Sequence, residues 1–215
     1  MPDYKALLSL FFLSFITVAS AQGKNDVAMI TAIQGTVDLL TPHGIRALQP
    51  FGRLQLGDQL TVNGATIKLV FLSNGRQEIW QGKGIIEIMA SESRGLGLPA
   101  PYVKVLSNLM VKQIGKTPSD GDASNGRSIR LRSVGGGSVE RVEDAYRRMR
   151  MEAAGGDLNP ELFLLSALFE MREVERVEQV LADLRVSRPQ DQEAKIVIAL
   201  YQKAVRNFRE SVGKQ

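Results

Sequence analysis

Leu60-Thr61-Val62-Asn63-Gly64-Ala65-Thr66-Ile67-Lys68-Leu69-Val70-Phe71-Leu72 is the stretch that decides how the first half of this chain folds. Apolar residues alternate on both sides of an Asn-Gly pair. Asn-Gly tolerates the positive φ angles of a type I′ turn, so the stretch predicts a hairpin. With a side-chain period of two, Ala65, Ile67, Leu69 and Phe71 share one face of the second strand. Upstream, Val27–Ile33 ends at Gln34-Gly35, Val37 and Leu39 alternate until Thr41-Pro42-His43-Gly44, and Leu54 and Leu56 lead to Gly57-Asp58. Downstream, Asn74-Gly75 joins the strand to Gln77–Trp80, and Gly82-Lys83-Gly84 leads into Ile85–Met89. Turn residues at every break predict a small antiparallel β-domain over residues 27–90, built as a sandwich or barrel-like sheet.

Composition changes beyond residue 90. Ser91–Pro101 holds Gly95, Gly97, Pro99 and Pro101 and reads as an irregular connection. In Tyr102–Ile114, Val103, Leu106, Leu109, Met110 and Ile114 stand near helical spacing, which predicts a short helix at about 102–114. Gly115–Ser138 turns to Gly, Ser, Asp, Asn and Arg, too little apolar surface to offset ordering entropy; residues 91–137 therefore read as a linker, with one added strand conceivable at Ser128–Val134.

Residues 138–210 read as helical, which makes the chain α+β. Val139, Val142, Ala145, Tyr146 and Met149 form one apolar stripe. Asp157-Leu158-Asn159-Pro160 reads as a helix start, with Asn as cap and Pro in the first turn. Leu162 to Met171 is apolar nearly all round, the pattern of a helix at the centre of a bundle or in an interface. Val174, Val177, Val180, Leu181 and Leu184 repeat the first stripe 35 residues after Val139. A period near ~34 residues with two helices per unit fits tetratricopeptide-like geometry. Plain antiparallel helical hairpins fit as well, because Leu165 and Val177 stand where tetratricopeptide repeats use small residues.

The N-terminus speaks to compartment. Lys5 precedes an apolar run from Ala6 to Val18, and Ala19-Ser20-Ala21 supplies small residues for signal peptidase. Residues 1–21 thus read as a signal peptide cut between Ala21 and Gln22, the run being shorter than the ~20 apolar residues a membrane span needs. Cysteine is absent, which excludes disulfides, thiolate metal sites and thiol nucleophiles. A net charge of +4 over 215 residues gives no electrostatic reason to expect nucleic acid.

Three segments carry a family likeness: Gln34-Gly35-Thr36-Val37, then Leu56-Gly57-Asp58-Gln59-Leu60-Thr61-Val62, then Ile67-Lys68-Leu69-Val70-Phe71-Leu72 with Asn74-Gly75. Their order resembles the FecR-type periplasmic β-domain over residues 27–90. The resemblance implies a periplasmic interaction module. Members with the full signalling architecture carry a sigma-factor-binding cytoplasmic segment and a membrane span before this domain. Here a signal peptide is expected in that place, so the resemblance carries over the extracytoplasmic half only.

Candidate chemistry is sparse, and the chain is expected to be non-catalytic, with no metal and no cofactor. His43 is the one histidine, in a Pro-His-Gly turn, and Asp58 reads as a turn-closing carboxylate. Trp80, near a strand end, reads as core or as a sugar platform. Between Arg127 and Arg150 lie Arg127, Arg130, Arg132, Arg141, Arg147, Arg148 and Arg150 against Glu140, Glu143 and Asp144, a surplus of four positive charges. That span reads as a solvated helix face or as a contact for an anionic lipid or acidic protein surface. The expected partners are envelope proteins, through Trp80, Arg141, Arg147, Arg148 and Arg150, with peptidoglycan or envelope polysaccharide as the alternative. Nothing in the sequence sets an oligomeric state.

Overall fold

The computed structural model describes residues 26–118 and 138–213. The signal segment with its Ala21–Gln22 junction, the Ser128–Val134 strand reading, and Arg127, Arg130 and Arg132 lie outside the described residues. The fold is α+β: a curled antiparallel half-barrel followed by helices.

Eight strands form the sheet: β1 (Asp26–Gln34), β2 (Val37–Thr41), β3 (Gly44–Ala47), β4 (Arg53–Gln55), β5 (Gln59–Phe71), β6 (Arg76–Ile88), β7 (Ser93–Leu96) and β8 (Tyr102–Val105). Its spine is the long β5–β6 hairpin, closed at Asn74-Gly75 with Gly75 at φ 72°. Along the far edge of β5, β2 covers the first part and β1 the second; along the far edge of β6, β8 covers Arg76–Ile79 and β7 covers Ile85–Ile88. Each long strand is thus shared along its outer edge by two shorter ones.

Asn63-Gly64, the expected turn, is instead a bulge inside β5: the register shifts between Asn63 and Ala65, and Gly64 takes φ 67°. The positive φ that Asn-Gly offers is spent on bending a continuous strand. Gly82-Lys83-Gly84 likewise runs inside β6, with Gly82 opposite Ala65. Two expectations beyond residue 90 are also corrected. Ser93–Leu96 is a strand within the supposed irregular connection, and Tyr102–Val105 is a strand where a helix was expected. Tyr102, Val103 and Val105 are exposed, so β8 is held by backbone pairing, which side-chain periodicity does not report. The short helix α1 (Asn108–Ile114) begins only after Ser107, whose Oγ accepts the Met110 N–H at 3.3 Å.

Four more helices follow among the described residues: α2 (Val139–Glu152), α3 (Asn159–Glu170), α4 (Val174–Ser187) and α5 (Gln192–Val212). The start of α3 differs from its expected cap. Asp157 Oδ1 takes the Asn159 N–H at 3.0 Å, while the Asn159 side chain turns to Gln77 of β6. None of the described helices is long and apolar enough to cross a membrane.

Two hydrophobic cores result. One lies inside the curl and contains Ala65, Ile67, Leu69 and Phe71, as the alternation predicts, with Leu60, Trp80 and Ile86. The other joins the opposite face of the sheet, at Met29 and Val70, and Phe51 of the β3–β4 turn to Leu106 and Ile114 and to the helices. At its centre α3 is buried from Asn159 to Phe169, which explains its apolar character on every side. Each of Leu162, Phe163, Leu165 and Leu168 contributes about 1.5–3 kcal/mol relative to exposure. The β and helical halves are therefore packed on a shared core, which corrects the expectation of two units joined only by a linker. Polar ties cross the same boundary: Lys68 to Glu193 at 3.0 Å, and the Arg53 guanidinium to the Gly115 carbonyl at 2.6 Å.

Candidate binding groove

The stripe that recurs at 35 residues becomes a pair of equivalent helices. Both α2 and α4 open with the pentapeptide Val-Glu-Arg-Val-Glu, at Val139 and at Val174. Equivalent carboxylates in the two copies each receive an arginine from a later helix: Glu143 of α2 pairs with Arg176 of α4, and Glu178 of α4 pairs with Arg209 of α5 at 2.8 Å. The second helices correspond as well, with Ser166 of α3 and Tyr201 of α5 joined through their hydroxyls at 2.6 Å.

Between α2 and α4, over α3, lies a groove of about 240 Å³ lined by Tyr146, Glu161, Leu164, Val180, Asp183 and Leu184, among others. Its polar centre is Glu161, a buried carboxylate. Arg150 donates to both its oxygens at 3.0 and 3.1 Å, Tyr146 Oη donates to it at 3.3 Å, and Arg188 stands 4.0 Å away. A buried carboxylate is tolerable only when paired and hydrogen-bonded in this way. Burial pushes the Tyr146 hydroxyl above its ordinary range, and the Glu161 charge pushes the same way, so Tyr146 stays a neutral donor. Asp183, on the exposed wall, has no ion-pair partner among the described residues. An apolar wall, a fixed hydroxyl and one uncommitted carboxylate suit recognition of a peptide segment.

The arginines named from sequence are not brought together as one surface. Arg141 and Arg148 are exposed and carry no ion pair among the described residues. Arg147 pairs with Asp144 on its own helix. Arg150 turns inward and ties the α2–α3 connection, donating to Glu161 and to the carbonyls of Asp157, at 2.6 Å, and Ala153, at 3.2 Å. Its expected contact with a partner is corrected to a structural role.

Trp80 takes the core reading, and its expected contact with a partner is corrected. It is 3% exposed inside the curl, and its indole N–H reaches Glu78 at 3.1 Å and Ser93 Oγ at 2.8 Å. Gly95 of β7 lies so close that a Cβ there would overlap the ring. No face of the indole is left to stack on a sugar. Glu78 is itself fully buried and is met by Arg76 Nε at 2.5 Å and by Ser93, so the cluster locks β7 to β6. His43 is exposed in the β2–β3 turn, and Asp58 Oδ2 accepts the Gln55 N–H at 2.8 Å, closing its turn as read from sequence. Sequence reading missed Glu161 and Asp183. Glu161 resembles an ordinary first-turn acid next to the helix dipole, and only the inward turn of Arg150 marks it as central.

Comparison with protein-family models, with curated proteins and with solved structures finds no match.

Proposed function

We propose that this chain is an exported, non-catalytic interaction protein of the bacterial envelope. Its β half is a FecR-like module, and its helical half is a tetratricopeptide-like pair that receives a peptide segment of a partner protein. The observation that carries this reading is the groove between α2 and α4, the two equivalent helices of a 35-residue repeat, floored by a helix already buried on its other side. Paired helices that bury one face and leave a concave seam are the arrangement by which helical repeats present a binding surface. Peptidoglycan binding loses its proposed aromatic platform, because Trp80 is enclosed.

A photo-crosslinking amino acid at Asp183, on the groove wall, and another at Val186, exposed on the same helix outside the groove, test the reading in intact cells. Position 183 is expected to yield one discrete protein adduct and position 186 none. Equal labelling from both positions, or none from either, counts against the groove. N-terminal sequencing of the periplasmic fraction is expected to begin at Gln22; an intact Met1 in the cytosol removes the envelope assignment.

A further inference from the structure

The last helical hairpin carries a second recess, on the opposite side of α4 from the Tyr146 groove. Two adjoining concavities of about 310 and 360 Å³ run between α4 and α5 and share Arg185 and Gln202. Each has the size of a small ligand cleft. Five cations line the pair, Arg185, Arg188, Lys195, Arg206 and Arg209, against one carboxylate, Glu178. Glu178 is occupied by Arg209, and Arg188 is held by Asp191 and Glu161. That leaves Arg185, Lys195 and Arg206 exposed and without an ion-pair partner among the described residues.

We infer that this recess binds an acidic peptide segment of a partner protein. Between the cations the surface is made of Ala182, Pro189 and Ala199, all exposed and small, so a peptide backbone can approach closely while its side chains reach outward. Guanidinium groups take carboxylates in a two-pronged, planar geometry, and three uncompensated cations along one seam select for several acids in sequence. A second copy of this chain is a poor occupant, since the protein as a whole carries +4. A membrane surface is poorer still: a plane of headgroups meets the protruding charges but leaves the seam between the helices unfilled. The recess lies on the other side of α4 from the Tyr146 groove, and Arg188, which lines the recess, stands 4.0 Å from Glu161 of that groove.

Selection of displayed random dodecapeptides on the intact chain, with the Arg185→Glu/Arg206→Glu variant in parallel, tests the inference. Both arginines are exposed and form no ion pair among the described residues, so the variant is expected to keep its circular dichroism. Arg185→Gln/Lys195→Gln serves as a milder pair should the reversal unfold. The expected result is enrichment of peptides rich in Asp and Glu, whose affinity falls roughly tenfold or more in either variant and weakens with salt. Lys83→Gln, which removes an exposed positive charge on β6, is expected to leave that affinity unchanged. Failure to enrich, enrichment without an acidic excess, or affinity untouched by the substitutions overturns the proposal. So does binding to vesicles of anionic phospholipid with the same dependence on Arg185 and Arg206 and no binding of acidic peptides.

Discussion

The core inside the curled sheet and the core beneath the helices differ in where their residues come from. The first is closed on itself: strands alone supply nearly all its side chains, from Ala28 to Ile88. The second takes Met29 and Val70 from the outer face of that same sheet and Phe51 from the β3–β4 turn, beside the side chains of the helices. A strand has two faces and an alternating strand commits only one of them, whereas a helix apolar on all sides needs neighbours all round it. In α3 those neighbours are α1, α2, α4 and α5, with Gln77 of β6 against its first turn. The helical half therefore depends on the sheet more than the sheet depends on it.

Core truncations test that asymmetry most strongly. Phe163→Ala in α3 is expected to lower the stability of the helices by about 3–5 kcal/mol, read by far-ultraviolet circular dichroism. Trp80 is the one tryptophan and lies in the sheet, so its fluorescence reports the other half. Its transition is expected to move less in Phe163→Ala, while Ile67→Ala, inside the curl, moves both signals together by about 2–5 kcal/mol. Equal shifts of both signals in Phe163→Ala would mean one indivisible unit. Helices unmoved by Ile67→Ala would mean the dependence runs the other way.

An alkaline titration sharpens the contrast at intermediate size. Tyr201 is completely buried in the helical core, and burial raises its hydroxyl to about 12 from an ordinary 10. Because the folded protein holds this proton more tightly than the unfolded chain does, the resulting stability is fully present below pH 10. It disappears as pH climbs toward 12, a loss of up to about 3 kcal/mol. The helical signal is expected to fall in that window and to fall less in Tyr201→Phe. A helical signal with the same alkaline profile in Tyr201→Phe would assign the effect elsewhere.

Much of the sheet was legible because its information is local. Ala65, Ile67, Leu69 and Phe71 declare their common face by spacing, and Asn74-Gly75 and Gly57-Asp58 declare their turns by backbone chemistry. Asn63-Gly64 misled for the same reason: a residue pair that permits positive φ does not say whether the chain reverses or bulges, and the length of β6 opposite decides it. β8 escaped notice because its side chains are exposed and its place is fixed by hydrogen bonds to β6. The groove was half legible. The 35-residue recurrence placed α2 and α4 in equivalent positions, but whether Arg150 faces outward or folds under α2 depends on the carboxylate of Glu161, which no spacing reveals. For Trp80 the burial tendency of an aromatic side chain favours core over platform, and Gly95, fifteen residues later and packed against its ring, settles the matter.

The smallest effect probes how the two halves are oriented rather than how firmly they hold. Lys68 of β5 and Glu193 of α5 meet at 3.0 Å with side chains 17% and 18% exposed, at the boundary between sheet and helices. Arg209 and Glu178 form a comparable contact within the helical half, but with side chains 54% and 45% exposed. Exposed pairs couple by roughly 0.2–1 kcal/mol, and partial shielding from solvent and salt moves a pair toward the top of that range. A double-mutant cycle with Lys68→Met and Glu193→Gln is expected to give about 1 kcal/mol, and the same cycle on Arg209 and Glu178 less than half of it. If the cross-boundary pair couples no better than the surface pair, then charge contributes nothing to the seating of α5. Its position would follow wholly from the apolar surface that Val70, Phe51 and Met29 lend to the helices.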